Sequence, residues 1–177
     1  MILPVFISCN KTTKKEKELL DAEREMAHTK VMKMEKDMGT AIGDIVNAWN
    51  EHNLNLMRKV SVEELSRFTN GKKEISSRSE YLSMMDSFHE GFSNIKVEIT
   101  GEPVFAGHKT FTSFIFSGNN SGIFMGNAPT DKEVEVHGFS IWTFNEEGLA
   151  TREEVYYDNN EFLTQLGYSL SPPEVKK

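Results

Sequence analysis

The chain has 177 residues, 38% of them hydrophobic, and a length of this order gives one domain with an appendage and a moderate core. Its 27 acidic side chains outnumber 20 basic ones, and a net charge of -7 argues against nucleic acid, because a phosphate-binding face needs a cationic excess. One cysteine allows neither a thiolate zinc site nor an internal disulfide, and the 5 histidines lack ligand spacing, so no metal and no cofactor are expected.

The opening stretch MILPVFISCNKTTKKEK is apolar up to Ser8, then places the only cysteine, Cys9, before a polar Lys/Thr run. A small residue ahead of a cysteine is the order found at the end of a bacterial lipoprotein signal, although the apolar run is short and has no basic segment before it. Residues 1–13 are therefore read as a signal remnant and tether, with Cys9 as the lipidation site and membrane anchoring at the bacterial cell envelope as the consequence. The alternative is a cytoplasmic protein with a chance cysteine. No run of about eighteen apolar residues exists elsewhere, so no helix is expected to span a bilayer.

Residues 14–38 read as an N-terminal helical extension. Ala27, Val31, Met34, Met38, Ile42, Ile45 and Trp49 form one stripe at helical spacing. Gly39 followed by Thr40 predicts a break, with Thr40 capping a second helix that runs to about His52. The methionine-rich stripe is expected to pack on its own domain or on a dimer mate, with a partner-binding surface as the alternative.

SVEELSRF carries the capping-box spacing at Ser61 and Glu64 and predicts a short helix. Asn70-Gly71 predicts a turn. Ser79 is a candidate cap for a helix with Tyr81, Met84, Met85 and Phe88 on its apolar face, ended by Gly91.

From Ser93 onward the texture changes to strands. Ile95, Val97 and Ile99 alternate with Lys96 and Glu98. A hairpin turns near Gly107-His108, KEVEVHGFSIWTF forms a third strand, and LATREEVYYD returns as a fourth after NEEG. Helices first and an antiparallel meander second predict an α+β fold with helices on one face of the sheet.

Several residues in order resemble a known family. Gly118, Ser121, Gly122, Phe124, Gly126, Pro129 and Thr130 follow the glycine-rich run of the SnoaL-like polyketide cyclases, in the nuclear transport factor 2-like superfamily. Gly148, Asp158 and Gln165-Leu166-Gly167 match its later turn and end, and AWNEHNLNLM resembles its opening helix. The resemblance covers about Thr40 to Gly167, within a domain assigned to residues 39–170, with 171–177 as a polar tail. It implies a cone-shaped, curved antiparallel sheet wrapped around helices, a central pocket for a small hydrophobic molecule, and a homodimer formed through the sheet. Where the family has a histidine in the run, this chain has Asn120. Asp131 replaces a glycine, and Glu153-Glu154 replaces a His-Trp pair.

In the cyclases of this family an aspartate near the end of the last strands acts as acid and base, and the matching position is Asp158. Alternation puts Arg152, Glu154 and Tyr156 on the strand face of Asp158. His137 is the second candidate catalytic group, able to hydrogen-bond a developing enolate oxygen. Tyr156, Glu154, Trp142, Phe114 and Asn120 are the expected pocket lining. The plain alternatives are a helix cap for Asp158, a solvent-exposed imidazole for His137 beside Glu133 and Glu135, and core packing for Trp142 and Phe114. Three functions fit the sequence: an acid/base enzyme of cyclase or isomerase type acting on a small hydrophobic carbonyl compound, a non-catalytic binder of a hydrophobic ligand, and a protein-interaction module.

Overall fold

The computed structural model describes residues 13–169 and 171. Cys9 and nearly all of the proposed tether and tail lie outside the described residues. Within them the order is α1 (Lys14–Asn50), α2 (Leu54–Val60), β1 (Ser61–Thr69), β2 (Lys72–Ile75), α3 (Arg78–Gly91), β3 (Ser93–Ala106), β4 (Lys109–Asn119), β5 (Glu133–Phe144), β6 (Ala150–Tyr157) and α4 (Asn159–Gln165). The chain divides into two compact units, residues 1–33 and residues 34–177.

In the first unit, Leu19, Leu20, Met26, Val31 and Met32 of α1 are exposed. The break expected at Gly39-Thr40 is not formed: α1 runs through both residues. The Thr40 hydroxyl donates to the Lys36 carbonyl at 3.0 Å, inside the helix, instead of capping a new one. Tertiary packing overrides the weak local signal, since Met38, Ala41, Ile42, Ile45, Ala48 and Trp49 are all buried in the second unit.

The second unit is an α+β cone built on a curved, open sheet of order β2-β1-β6-β5-β4-β3. Strands β3 to β6 form the expected antiparallel meander, whereas β1 pairs with β6 in parallel. SVEELSRF is thus strand β1 and not a helix, with Leu65 fully buried and β6 and β2 hydrogen-bonded on either side. Ser61 closes α2 instead of opening a helix: its hydroxyl donates to the Met57 carbonyl at 2.6 Å. The turn at Asn70-Gly71 forms as expected, both residues having positive φ (49° and 83°). Helix α3 is capped by Ser77 and not Ser79. The Ser77 hydroxyl accepts from Glu80 N at 3.2 Å, while the Glu80 carboxylate accepts from Ser76 N at 2.7 Å, so the true Ser-x-x-Glu box lies two residues earlier.

The glycine-rich segment after β4 crosses back against the end of α3. Gly122 lies so close to the Glu90 carbonyl that any β-carbon there would collide with it. Asn120 holds the crossing. Its Nδ2 donates to the carbonyls of Gly91 (2.9 Å) and Gly122 (3.1 Å), and its Oδ1 accepts from Thr130 N (2.9 Å) and the Thr130 hydroxyl (3.0 Å).

A candidate acid/base cavity inside the cone

Alternation along the strands selects what faces inward. Val134, Val136, Ser140, Trp142 and Phe144 of β5 are buried, as are Glu153 and Val155 of β6. Register then sets interior rows across the sheet. Thr110, Trp142, Glu153 and Arg67 stand side by side on β4, β5, β6 and β1, and Thr112, Ser140 and Val155 form the next row. These rows, with α1 and α3, enclose a cavity of about 100 Å³. Its wall is mainly apolar, including Ile42, Ile45, Trp49, Phe88, Phe116 and Phe162.

The polar part of the wall is concentrated. Arg67 Nη1 donates to Glu153 Oε2 at 2.7 Å, with only 11% and 8% of the two side chains exposed. Arg67 Nε–H is buried without a hydrogen-bond partner. The hydroxyls of Thr112 and Ser140 share a buried hydrogen bond of 2.8 Å in the next row of the same sheet face, also on the cavity wall. Behind the pair sits Tyr81, fully buried, whose oxygen accepts from Trp49 Nε1–H at 3.2 Å.

Burial pushes the Glu153 carboxyl above the ordinary carboxylate range, against the opposing pull of Arg67's charge and of hydrogen bonds from Tyr81 and Arg67. Burial is the largest single influence on Arg67 and works against its charge, but Glu153, Tyr81 and Tyr157 together outweigh it and the guanidinium stays charged. Tyr157, on the cavity wall, is pushed up by burial and remains a neutral phenol. A raised carboxyl next to a fixed cation can exchange a proton with a bound molecule while the cation faces any charge that develops. Among the described residues, no group of three His, Cys, Asp or Glu side chains could hold a metal ion.

Comparison with known proteins agrees with this architecture. The family model described as SnoaL-like polyketide cyclase matches residues 40–166. The chain belongs to the SnoaL-like polyketide cyclase family. Solved structures sharing the SnoaL-like fold include AclR from Streptomyces galilaeus, at 17% identity and a TM-score of 0.67 over 78% of this chain and 86% of that one. TsrD from Streptomyces laurentii follows at 15% identity and 0.66 over 75% and 96%. IdmH from Streptomyces antibioticus gives 19% identity and 0.63 over 74% and 99%. No curated protein matches the sequence.

Within this SnoaL-like domain the residues singled out from sequence are dispersed. Trp142 and Phe114 line the cavity. Asp158 is the N-cap of α4, its Oδ1 accepting from Asn160 N (2.8 Å) and Glu161 N (3.1 Å), and it is not on the cavity wall. His137 stands on the outer face of β5 with 69% of its side chain exposed, 3.7 Å from Glu135. Tyr156 and Glu154 also belong to the outer face, because β6 turns Glu153, Val155 and Tyr157 inward. Asn120 is buried in the crossing segment, away from the cavity wall.

Arg67 and Glu153 were the residues missed. Arg67 was hidden by reading β1 as a helix. Glu153 had a usable signal: by alternation it shares its face with Leu149, Val155 and Tyr157, whereas Arg152, Glu154, Tyr156 and Asp158 form an almost wholly polar face.

Proposed function

We propose that the protein binds a small, neutral, largely apolar carbonyl compound in this cavity and moves a proton on it. Glu153 takes the proton from the carbon beside the carbonyl, and the C–H electron pair passes into an enolate. Arg67 Nε–H donates to the oxygen that gains charge. Return of the proton to another carbon is an isomerisation. Attack of the enolate carbon on a second carbonyl, with the proton delivered to the new alkoxide, is a cyclisation. The observation that carries this reading is the Arg67–Glu153 pair on the cavity wall, with Nε unpartnered. The two opposite charges cancel, which favours a neutral ligand over an ion. Membership of the SnoaL-like family supports acid/base chemistry of this type.

The test is deuterium exchange at the α-carbon of small apolar ketones, followed by proton NMR in D₂O. The wild type should accelerate exchange, and Glu153→Gln should lose at least about 100-fold of that rate while still binding ketone, the usual scale of a positioned general base. Exchange that persists in Glu153→Gln overturns the assignment. The apolar wall supports a second reading, a non-catalytic ligand binder. Ketone binding with no wild-type exchange would favour it.

A further inference from the structure

The hydroxyls of Thr112 and Ser140 take no part in the proton transfer just described. Their residues are register partners on β4 and β5 and are buried, with 2% and 4% exposed. Two hydroxyls together carry two protons and four lone pairs. The 2.8 Å bond between them uses one proton, whichever oxygen donates it, and neither oxygen has a second partner among the described residues. One O–H is therefore left over. Both residues line the cavity, so the acceptor for that proton has to come from a molecule inside it. Valine and alanine would close this wall with nearly the same shapes and no donor to satisfy, so packing alone does not call for hydroxyls here.

We infer that the Thr112–Ser140 pair is a second polar subsite, which donates to a neutral oxygen that the ligand carries apart from its reacting carbonyl. Ser140 is the register partner of Val155, and Glu153 precedes Val155 by two residues. Ser140 and Glu153 are thus diagonal neighbours on the sheet, about 7–8 Å apart. Between these polar points the wall is made by Trp142 and Val155. A ligand that reaches both is a short carbon chain with an oxygen towards each end. One carbonyl stands beside Arg67 and Glu153, and a carbonyl or ether oxygen stands beside the hydroxyls. A carboxylate at the second point is disfavoured, because among the described residues Arg67 is the one cation on the cavity wall and Glu153 already holds it. The ion pair selects for a carbonyl, and the hydroxyl pair selects among carbonyl compounds for those with a second acceptor.

This assignment rests on the cavity being the carbonyl site, and the test separates the two. Dissociation constants are measured by calorimetry for acetonylacetone and for methyl isoamyl ketone, in which a methyl group replaces the second oxygen on the same skeleton. The ratio of the two constants is compared between the wild type and Thr112→Val combined with Ser140→Ala. The double variant should shift that ratio against the dione by about 3–10-fold, the factor of one hydrogen bond. Each single variant still holds one free hydroxyl proton and should keep most of the wild-type ratio. A ratio unchanged in the double variant, with both ketones bound by the wild type, overturns the inference and leaves the proton-transfer reading standing. Failure of the wild type to bind either ketone overturns both. If the double variant does not fold, the infrared carbonyl bands of the dione bound to the wild type decide. Both should lie below the band of the free dione in hexane, and one remaining at that position overturns the inference.

Discussion

The ring of Phe114 occupies the space that a side chain at Gly138 would take. A β-carbon there would lie 2.7 Å from Phe114 Cε1 and 2.9 Å from Cε2, and closer still to Cζ. The two residues are register partners on β4 and β5, and Phe114 lines the cavity. Gly138→Ala must push the ring, which borders the cavity. The expected cost is about 1–3 kcal/mol, typical of overpacking, together with weaker ketone binding. Urea unfolding checks it, and the same substitution made in a Phe114→Ala chain should cost almost nothing.

Removing one member of the buried ion pair leaves the other uncompensated. Arg67→Met should destabilise by about 3–5 kcal/mol, whereas Arg67→Met with Glu153→Met should restore most of that loss while abolishing proton exchange. Stability near wild type without activity would separate the pair's chemistry from its part in the fold. An equally unstable double variant would mean that the pair organises the sheet.

Glu153 also sets a pH dependence. Its folded value lies above the ordinary 4.5, so the folded state holds the proton more tightly than the unfolded chain does. The stability linked to that proton is complete below 4.5 and is lost as pH rises through the folded value. Glu153→Gln should flatten this part of the stability profile. Denaturant midpoints measured across the window would test the sign.

The opposite sign applies at His89. Burial, then the stacked ring of His52 at 4.1 Å, holds it below the ordinary 6.5, while its Nε2–H donates to the Trp49 carbonyl at 2.8 Å. Trp49 and Asp86 act the other way, and Asp86 also bonds His52 Nε2 at 2.7 Å. The stabilising contribution is present above 6.5 and lost as pH falls through the folded value. His89→Gln keeps a donor for Trp49 and should make thermal stability less sensitive to pH below 6.5.

Asp158 gives a contrasting expectation. As a helix cap it should lose about 1 kcal/mol on change to Ala and very little on change to Asn, with ketone exchange unaltered by either. Loss of exchange in Asp158→Asn, with the cap retained, would return that residue to the chemistry.

Most of the fold was legible because strand alternation and turn residues carry it locally. The hairpin at Gly107-His108 and the long strand ending at Phe144 needed no information beyond a few neighbours. Strand β1 was illegible for the converse reason. Its Ser61–Glu64 spacing is a sound helix signal, and only pairing with β6, remote in sequence, makes it a strand. The candidate site suffered from the same gap. Arg67 becomes visible as a partner for Glu153 only after β1 is a strand, and the choice between Glu153 and Glu154 turns on a shift of one residue.

The parallel pairing of β1 with β6 also has a temporal meaning. Arg67 and Glu153 are separated by 86 positions, and β6 is the last of the described strands to be made. At usual synthesis rates of about 5–20 residues per second, the ribosome adds Glu153 roughly 4–17 s after Arg67. Throughout that interval the nascent chain carries a guanidinium whose buried counter-ion does not yet exist. The polar heart of the cone is therefore among the last contacts to mature, and the helices and the β3–β4 hairpin can assemble before it.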